Sequence, residues 1–226
     1  MREIVFDTET TGLDPKAGHR LVEVGCIELA NHLPTGRNFQ RYINPGRDMP
    51  AEAMAVHGLS AEFLAKYPGF EACAEDLLAF IGDSPLVIHN ADFDMNFLNS
   101  ELKTIGLAPV PRERAIDTLA IARRRFPGSP ASLDALCKRF NVDASARTVH
   151  GALLDAELLA EVYIELIGAR EPGLELAITV PGGQAPAPGA APVVRHPVPH
   201  TPTEQELADH RAFVAKLPKA IWLAGG

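Results

Sequence analysis

The feature that most constrains this chain is a strand-like run near its N-terminus, Glu3-Ile4-Val5-Phe6-Asp7-Thr8-Glu9, leading directly into Thr10-Thr11-Gly12. Its apolar residues fit a strand buried in a sheet, yet two carboxylates, Asp7 and Glu9, stand two positions apart. Side chains alternate along a strand, so both acids point to the same face. Paired acids in the middle of a sheet repel each other and resist losing water. A hard divalent cation, which prefers carboxylate oxygens, satisfies such a pair. Read alone, the pair also suits a half-exposed strand with its acids in water, so the metal reading depends on matching acids elsewhere.

The rest of the chain supplies them. A turn at Thr11-Gly12-Leu13-Asp14-Pro15 is followed by two more strand-like runs, Leu21 to Leu29 and Asn38 to Ile43, which suggest an antiparallel meander. Residues 51–81 read as helical pieces broken at His57-Gly58 and Pro68-Gly69. Pro85 to Asn90 reads as a buried strand that leads through Ala91-Asp92-Phe93-Asp94 into a helix with Met95, Leu98 and Leu102 on its apolar side. Helices are then expected over about 117–126, over 132–140 with Ser132 as N-cap, and over about 151–168. A meander followed by strand–helix alternation predicts an α/β fold: a mixed sheet flanked by helices, with the first strand central.

On the last of these helices, Asp155 shares a face with Leu159, Val162 and Leu166. A carboxylate on a buried stripe is costly unless it is paired or bound to metal. His150 precedes it by about one turn, next to Gly151, which permits close approach. Asp94 suits the first turn of its helix for dipole reasons alone. Together with Asp7 and Glu9, however, it completes a set of acids from three distant stretches.

Composition bounds the reading without deciding it. At 226 residues the chain can hold one sizeable domain and an appendage. No apolar run approaches the ~20 residues of a membrane span, and the N-terminus enters a charged strand directly, so a cytoplasmic protein without a membrane partner is expected. Cys26, Cys73 and Cys137 form no C-x-x-C pair and read as core residues. The formal charge of −8 is unusual for a phosphate binder. Residues 169–226 are balanced, so the excess negative charge lies in residues 1–168, where bound cations would reverse the local potential.

Three motifs in order, Phe6-Asp7-Thr8-Glu9-Thr10-Thr11-Gly12, His89-Asn90-Ala91-Asp92-Phe93-Asp94 and His150-Gly151-Ala152-Leu153-Leu154-Asp155, resemble those of the DEDD-superfamily 3′–5′ exonucleases of the histidine subtype. More closely, residues 1–168 resemble the epsilon-type proofreading subunits of bacterial DNA polymerase III. Val56-His57-Gly58-Leu59, Phe126-Pro127-Gly128 and Ser132 to Cys137 support the likeness. The resemblance implies an RNase H-like fold, with a mixed five-stranded sheet flanked by helices, over residues 1–170, and hydrolysis of the 3′-terminal phosphodiester with release of 5′-mononucleotides. It assigns Asp7, Glu9, Asp94 and Asp155 to two divalent ions, Mg²⁺ or Mn²⁺, and His150 to the general base. Glu52 and His57, with Thr10 and Thr11, match positions that contact the terminal nucleotide, next to Asp7, Glu9 and Asp155. The spacing of the second motif gives the ligand role to Asp94 rather than Asp92.

The segment 171–202, rich in Pro, Gly and Ala, reads as a linker, and 203–226 as a docking tail opened by the capping-box spacing Thr203-Glu204-Gln205-Glu206; the two form a flexible C-terminal extension. The resemblance implies that the extension tethers the nuclease to the polymerase alpha subunit, with single-stranded 3′ DNA as substrate and a small stabilising subunit as further partner. Glu171-Pro172-Gly173-Leu174-Glu175-Leu176 resembles a sliding-clamp peptide with Leu174 and Leu176 as anchors, although the family pattern has glutamine where this chain has Glu171. The alternatives are a 3′ exoribonuclease of the same superfamily and a non-catalytic adaptor that stabilises a polymerase. Intact acids and His150 argue against the adaptor.

Overall fold

In the computed structural model the described residues are 1–145, 147, 149–169 and 202–216. They fall into two units, one within Met1–Glu175 and one within Leu176–Gly226. In the first unit, β1 (Arg2–Thr10) pairs antiparallel with β2 (Leu21–Ala30), which pairs antiparallel with β3 (Leu33–Tyr42). On its other side β1 pairs parallel with β4 (Leu86–Ile88), which pairs parallel with β5 (Ala115–Asp117). The order β3-β2-β1-β4-β5 is the expected mixed sheet with the acid-bearing strand central.

Two strand boundaries differ from the sequence reading. β3 begins at Leu33 rather than Asn38, because Asn31 and His32 both take positive φ (51° and 68°) and close a two-residue hairpin. Pro34 is tolerated there because β3 is an edge strand whose register slips opposite Ile27 and Leu29. No run in the sequence marks the position of the expected fifth strand, β5. Its three residues are too few to show a period.

The helices of this unit are α1 (Ala51–His57), α2 (Ala61–Leu64), α3 (Ala74–Ile81), α4 (Ala91–Thr104), α5 (Thr118–Arg125), α6 (Leu133–Phe140) and α7 (Ala152–Ile167). Ser132 caps α6 as expected, its hydroxyl accepting from Ala135 N–H. Strand alternation divides the core into two layers. Ile4 and Phe6 pack with Leu77, Ile81, Met95 and Leu98 of α3 and α4. Val5, pointing the opposite way, packs with Leu136 of α6 and with Leu159, Val162 and Leu166 of α7. Asp7 and Glu9 share the parity of Val5 and so point toward α7. The three cysteines are free and buried, as core residues should be.

In the second unit, α8 (Glu204–Val214) has the expected capping box between Thr203 and Glu206. Leu174 and Leu176 lie outside the described residues. Among the described residues no helix is long and apolar enough to cross a membrane.

Candidate active site

The last turn of β1 meets the first turns of two helices. Asn90, at φ 70°, turns the chain from the end of β4 into α4 and puts Asp94 in its first turn. Thr8, on the α4 side of β1, donates its hydroxyl to Asp94 Oδ1 at 2.7 Å. Of the two acids in this motif, Asp94 is buried at 3% exposure. Asp92 is 81% exposed and pairs with Arg112 at the surface, so burial selects Asp94 as the motif spacing did.

α7 approaches through a gap in β2. Gly25 stands opposite Asp7 in the sheet, and a Cβ there would lie 2.2 Å from the Ala152 carbonyl carbon. Only a residue without a side chain lets the helix start so close to the strand. Gly151, the N-cap, offers no side-chain acceptor; Glu23 of β2 supplies one instead, its Oε2 accepting from Ala152 N–H at 3.1 Å. The helix start is thereby anchored to the sheet, and Asp155 is brought to β1. Donor atoms of Glu9, His150 and Asp155 all lie within 4.8 Å of one another.

The electrostatics are those of crowded acids. Burial, then Asp94, Glu9 and Asp155, push Asp7 well above the usual carboxylate range, with Arg147 opposing. Burial, with Asp155, Glu23 and Asp94, raises Glu9 to about 8, again against Arg147. Asp94 is raised to about 7, chiefly by burial, although the Thr8 hydroxyl favours its anion. Such a cluster is strained without positive charge. Asp155 Oδ1 is buried and ion-paired with Arg147 Nε at 2.5 Å, the one cation set against these acids among the described residues. Buried carboxylate oxygens gathered with an imidazole nitrogen are a donor set that fits a hard divalent cation.

Arg147 was not singled out in the sequence. Its Nη2 donates to Asp155 Oδ2 at 2.6 Å and lies 2.7 Å from His150 Nδ1, and its Nη1 pairs with Asp134. It lies only three residues before His150, and an arginine in a loop carries no periodic signal by which it could have been found. His150 Nδ1 is also 3.1 Å from Asp155 Oδ2, and its backbone N–H donates to Val56 O at 3.0 Å, tying the loop to α1.

On the other side of Glu9 a cavity of about 500 Å³ brings together Thr10, Thr11, Glu52 and His57, with Leu13 and Phe93 among its apolar walls. The positions read as nucleotide contacts are therefore gathered. The two threonine hydroxyls are spent within the chain: Thr10 donates to Gly12 O at 2.6 Å, and Thr11 accepts from Arg20 N–H at 3.0 Å. His57 Nδ1 accepts from Leu59 N–H, which leaves Nε2 as the donor, and Nε2 is buried without a hydrogen bond. Burial holds the His57 pKa below its usual value, against the Thr10 carbonyl, so the neutral ring is favoured.

A central strand with two acids on one face, facing a helix that brings a third acid beside a histidine, defines a nuclease of the exonuclease type. A family model described as Exonuclease (RNase_T) matches residues 4–163. The chain is 49% identical over 227 residues to DNA polymerase III subunit epsilon of Rickettsia conorii, covering 98% of this chain and 99% of that one. It is 44% identical over 177 residues to the same subunit of Escherichia coli, covering 75% and 72%. The chain belongs to this exonuclease family and, within it, to the DNA polymerase III epsilon subunits. Its activity is that of a proofreading 3′–5′ exonuclease.

Among solved structures, Exonuclease X in complex with 5′-overhanging duplex DNA matches 74% of this chain and 92% of its own, at TM-score 0.57 and 26% identity. The nuclease domain of 3′hExo, a DEDDh family member bound to rAMP, matches 74% and 92% at TM-score 0.64 and 17% identity, a likeness of fold. The RNase H-like expectation is met.

Proposed function

We propose that the chain removes nucleotides one at a time from the single-stranded 3′ end of DNA, with Asp7, Glu9, Asp94 and Asp155 holding two divalent ions, Mg²⁺ or Mn²⁺, and His150 as general base. The observation that carries this is the convergence of those acids and His150 at one end of β1, next to a cavity of nucleotide size. Such ions, when bound, supply Lewis-acid stabilisation of a phosphodiester and acidify water. His150, whose side chain is 47% exposed, is accessible to take a proton from the attacking water. Asp155, beside its Nδ1, fixes the ring orientation. Leu13 and Phe93 offer apolar surface to the terminal base, while His57 and Glu52 line the same cavity and suit its sugar. Hydrolysis leaves a 5′-mononucleotide and a strand shortened by one. Mispaired ends unpair at lower cost, which favours their entry without reading of the base.

The domain plan is an exonuclease over 1–170, a linker over 171–202 and a polymerase-docking tail over 203–226. The protein would work in the cytoplasm, bound to the polymerase alpha subunit, with a small stabilising subunit as further partner and a clamp contact through Leu174 and Leu176. Deletion of residues 177–226 should abolish co-purification with alpha and spare nuclease activity; undiminished association would remove the tether from this reading.

The deciding experiment uses matched DNA and RNA oligonucleotides with Mg²⁺ or chelator. Release of deoxynucleoside 5′-monophosphates from the DNA 3′ end, with Mg²⁺ only, is expected. Preferred RNA trimming would favour the exoribonuclease instead, and His150→Ala at wild-type rate would remove the base assignment.

A further inference from the structure

Three openings border the acids and His150, one lined by Glu9, one by His150 and one by both His150 and Asp155, and their chemistries differ. The cavity holding His57 and Glu52 is walled by apolar groups and lined by no arginine or lysine among the described residues. A second pocket, of about 390 Å³ between β2, β3 and the His150 loop, presents the Glu23 carboxylate with Gln40 and Tyr42, and again no arginine or lysine. A third, of about 410 Å³, shares Asp7, His150 and Asp155 with the acid cluster and is lined as well by His89, Arg123, Ser132 and Arg147.

A strand cut at its 3′ end has two parts to accommodate. The released nucleotide carries a base and needs apolar surface. The retained strand carries a phosphate at every step and needs cations along its exit. In a protein of formal charge −8, exit past Glu23 is repelled. Of the three openings beside the site, only the third has guanidinium groups in its wall among the described residues.

Of these two guanidinium groups, Arg147 is committed to Asp155, Asp134 and His150. Arg123 is in no hydrogen bond or ion pair among the described residues. Its neighbour Arg125 has a structural task instead, donating to Glu165 O at 2.9 Å and so joining the ends of α5 and α7. Residues two apart on a helix do not share a face, so Arg123 is free to serve the pocket while Arg125 serves the core.

Resting on the exonuclease reading above, we propose that Arg123 binds the first phosphate of the retained strand in the pocket between α5, α6 and the acid cluster, and so fixes the direction in which DNA leaves the site. Arg123 is a positioning residue in this scheme, acting on the strand and not on the scissile bond.

The test compares two substrates with Mg²⁺ present: a single-stranded oligonucleotide, and p-nitrophenyl thymidine 5′-phosphate, in which an aryl group stands where the retained strand would begin. Arg123→Gln should lower kcat/KM on the oligonucleotide about tenfold, through KM, and flatten its log–log salt slope by about one. On the aryl ester it should change nothing. A methylphosphonate at the first retained phosphate should cost the wild type a similar factor and cost Arg123→Gln nothing further. Unchanged oligonucleotide kinetics, equal losses on both substrates, or additive losses would each overturn the assignment. Should the wild type cleave neither substrate, the exonuclease reading falls; anisotropy of the same oligonucleotides with chelated protein still decides whether Arg123 senses that phosphate.

Discussion

Gly25 of β2 and Ala152 at the start of α7 pack backbone against backbone, so closely that a Cβ on residue 25 would sit 2.2 Å from the Ala152 carbonyl carbon. The contact sets the distance between the sheet and the helix that bears Asp155. Gly25→Ala should therefore push the helix start outward, costing about 1–3 kcal/mol as overpacked cores do. Because Asp155 moves with the helix, nucleotide release should fall more steeply than stability. Chemical denaturation and single-strand digestion, run side by side, check both.

Asp7 sits beside Glu9, Asp94 and Asp155 at the cost of its own ionisation. Asp7→Asn should abolish nucleotide release, while raising the thermal midpoint of the chelated protein by removing one charge from the cluster. A chelated variant less stable than wild type would show that the acids are not in mutual strain.

The same crowding makes the metal-free protein sensitive to pH. Glu9, raised from 4.5 to about 8, and Asp94, raised from 3.8 to about 7, hold protons in the folded state that the unfolded chain has already released. Their contribution is fully present below about pH 4 and is lost as pH rises to about 8. In chelator, the thermal midpoint should fall across this window, by about 2–4 °C for each ~1 kcal/mol lost in a chain of this size. Added Mg²⁺ should restore it most at the alkaline end, because it binds the ionised form. A flat profile in chelator would contradict the assigned shifts.

At the opposite end of β1, Glu3 is 1% exposed and accepts from the Tyr163 hydroxyl at 2.8 Å, with His32 Nδ1 at 2.7 Å on its other oxygen. Tyr163→Phe leaves the ring in place and the carboxylate short of a partner, which should cost about 1–3 kcal/mol. Activity per folded molecule should not change, since this network lies at the far end of the strand from Asp7 and Glu9. Denaturant midpoints and specific activity separate the two effects.

Much of the site was legible because its signals are local. The two-residue spacing of Asp7 and Glu9 put them on one face of a strand, and strand parity aimed them at α7. The helical spacing of Asp155 with Leu159, Val162 and Leu166 put a carboxylate on the buried stripe that the structure confirms. Ser132 and the Thr203–Glu206 box marked helix starts by their chemistry alone.

Other features were decided only by tertiary structure. Glu23 caps a helix 129 residues further along, Arg147 enters the acid cluster from an irregular loop, and Arg123 stands uncommitted in the wall of a pocket. Periodicity and capping chemistry act between residues a few positions apart, and so they are written in the chain. Which carboxylate meets which backbone amide across the sheet depends on how closely the layers pack, and that distance exists only once the chain has folded.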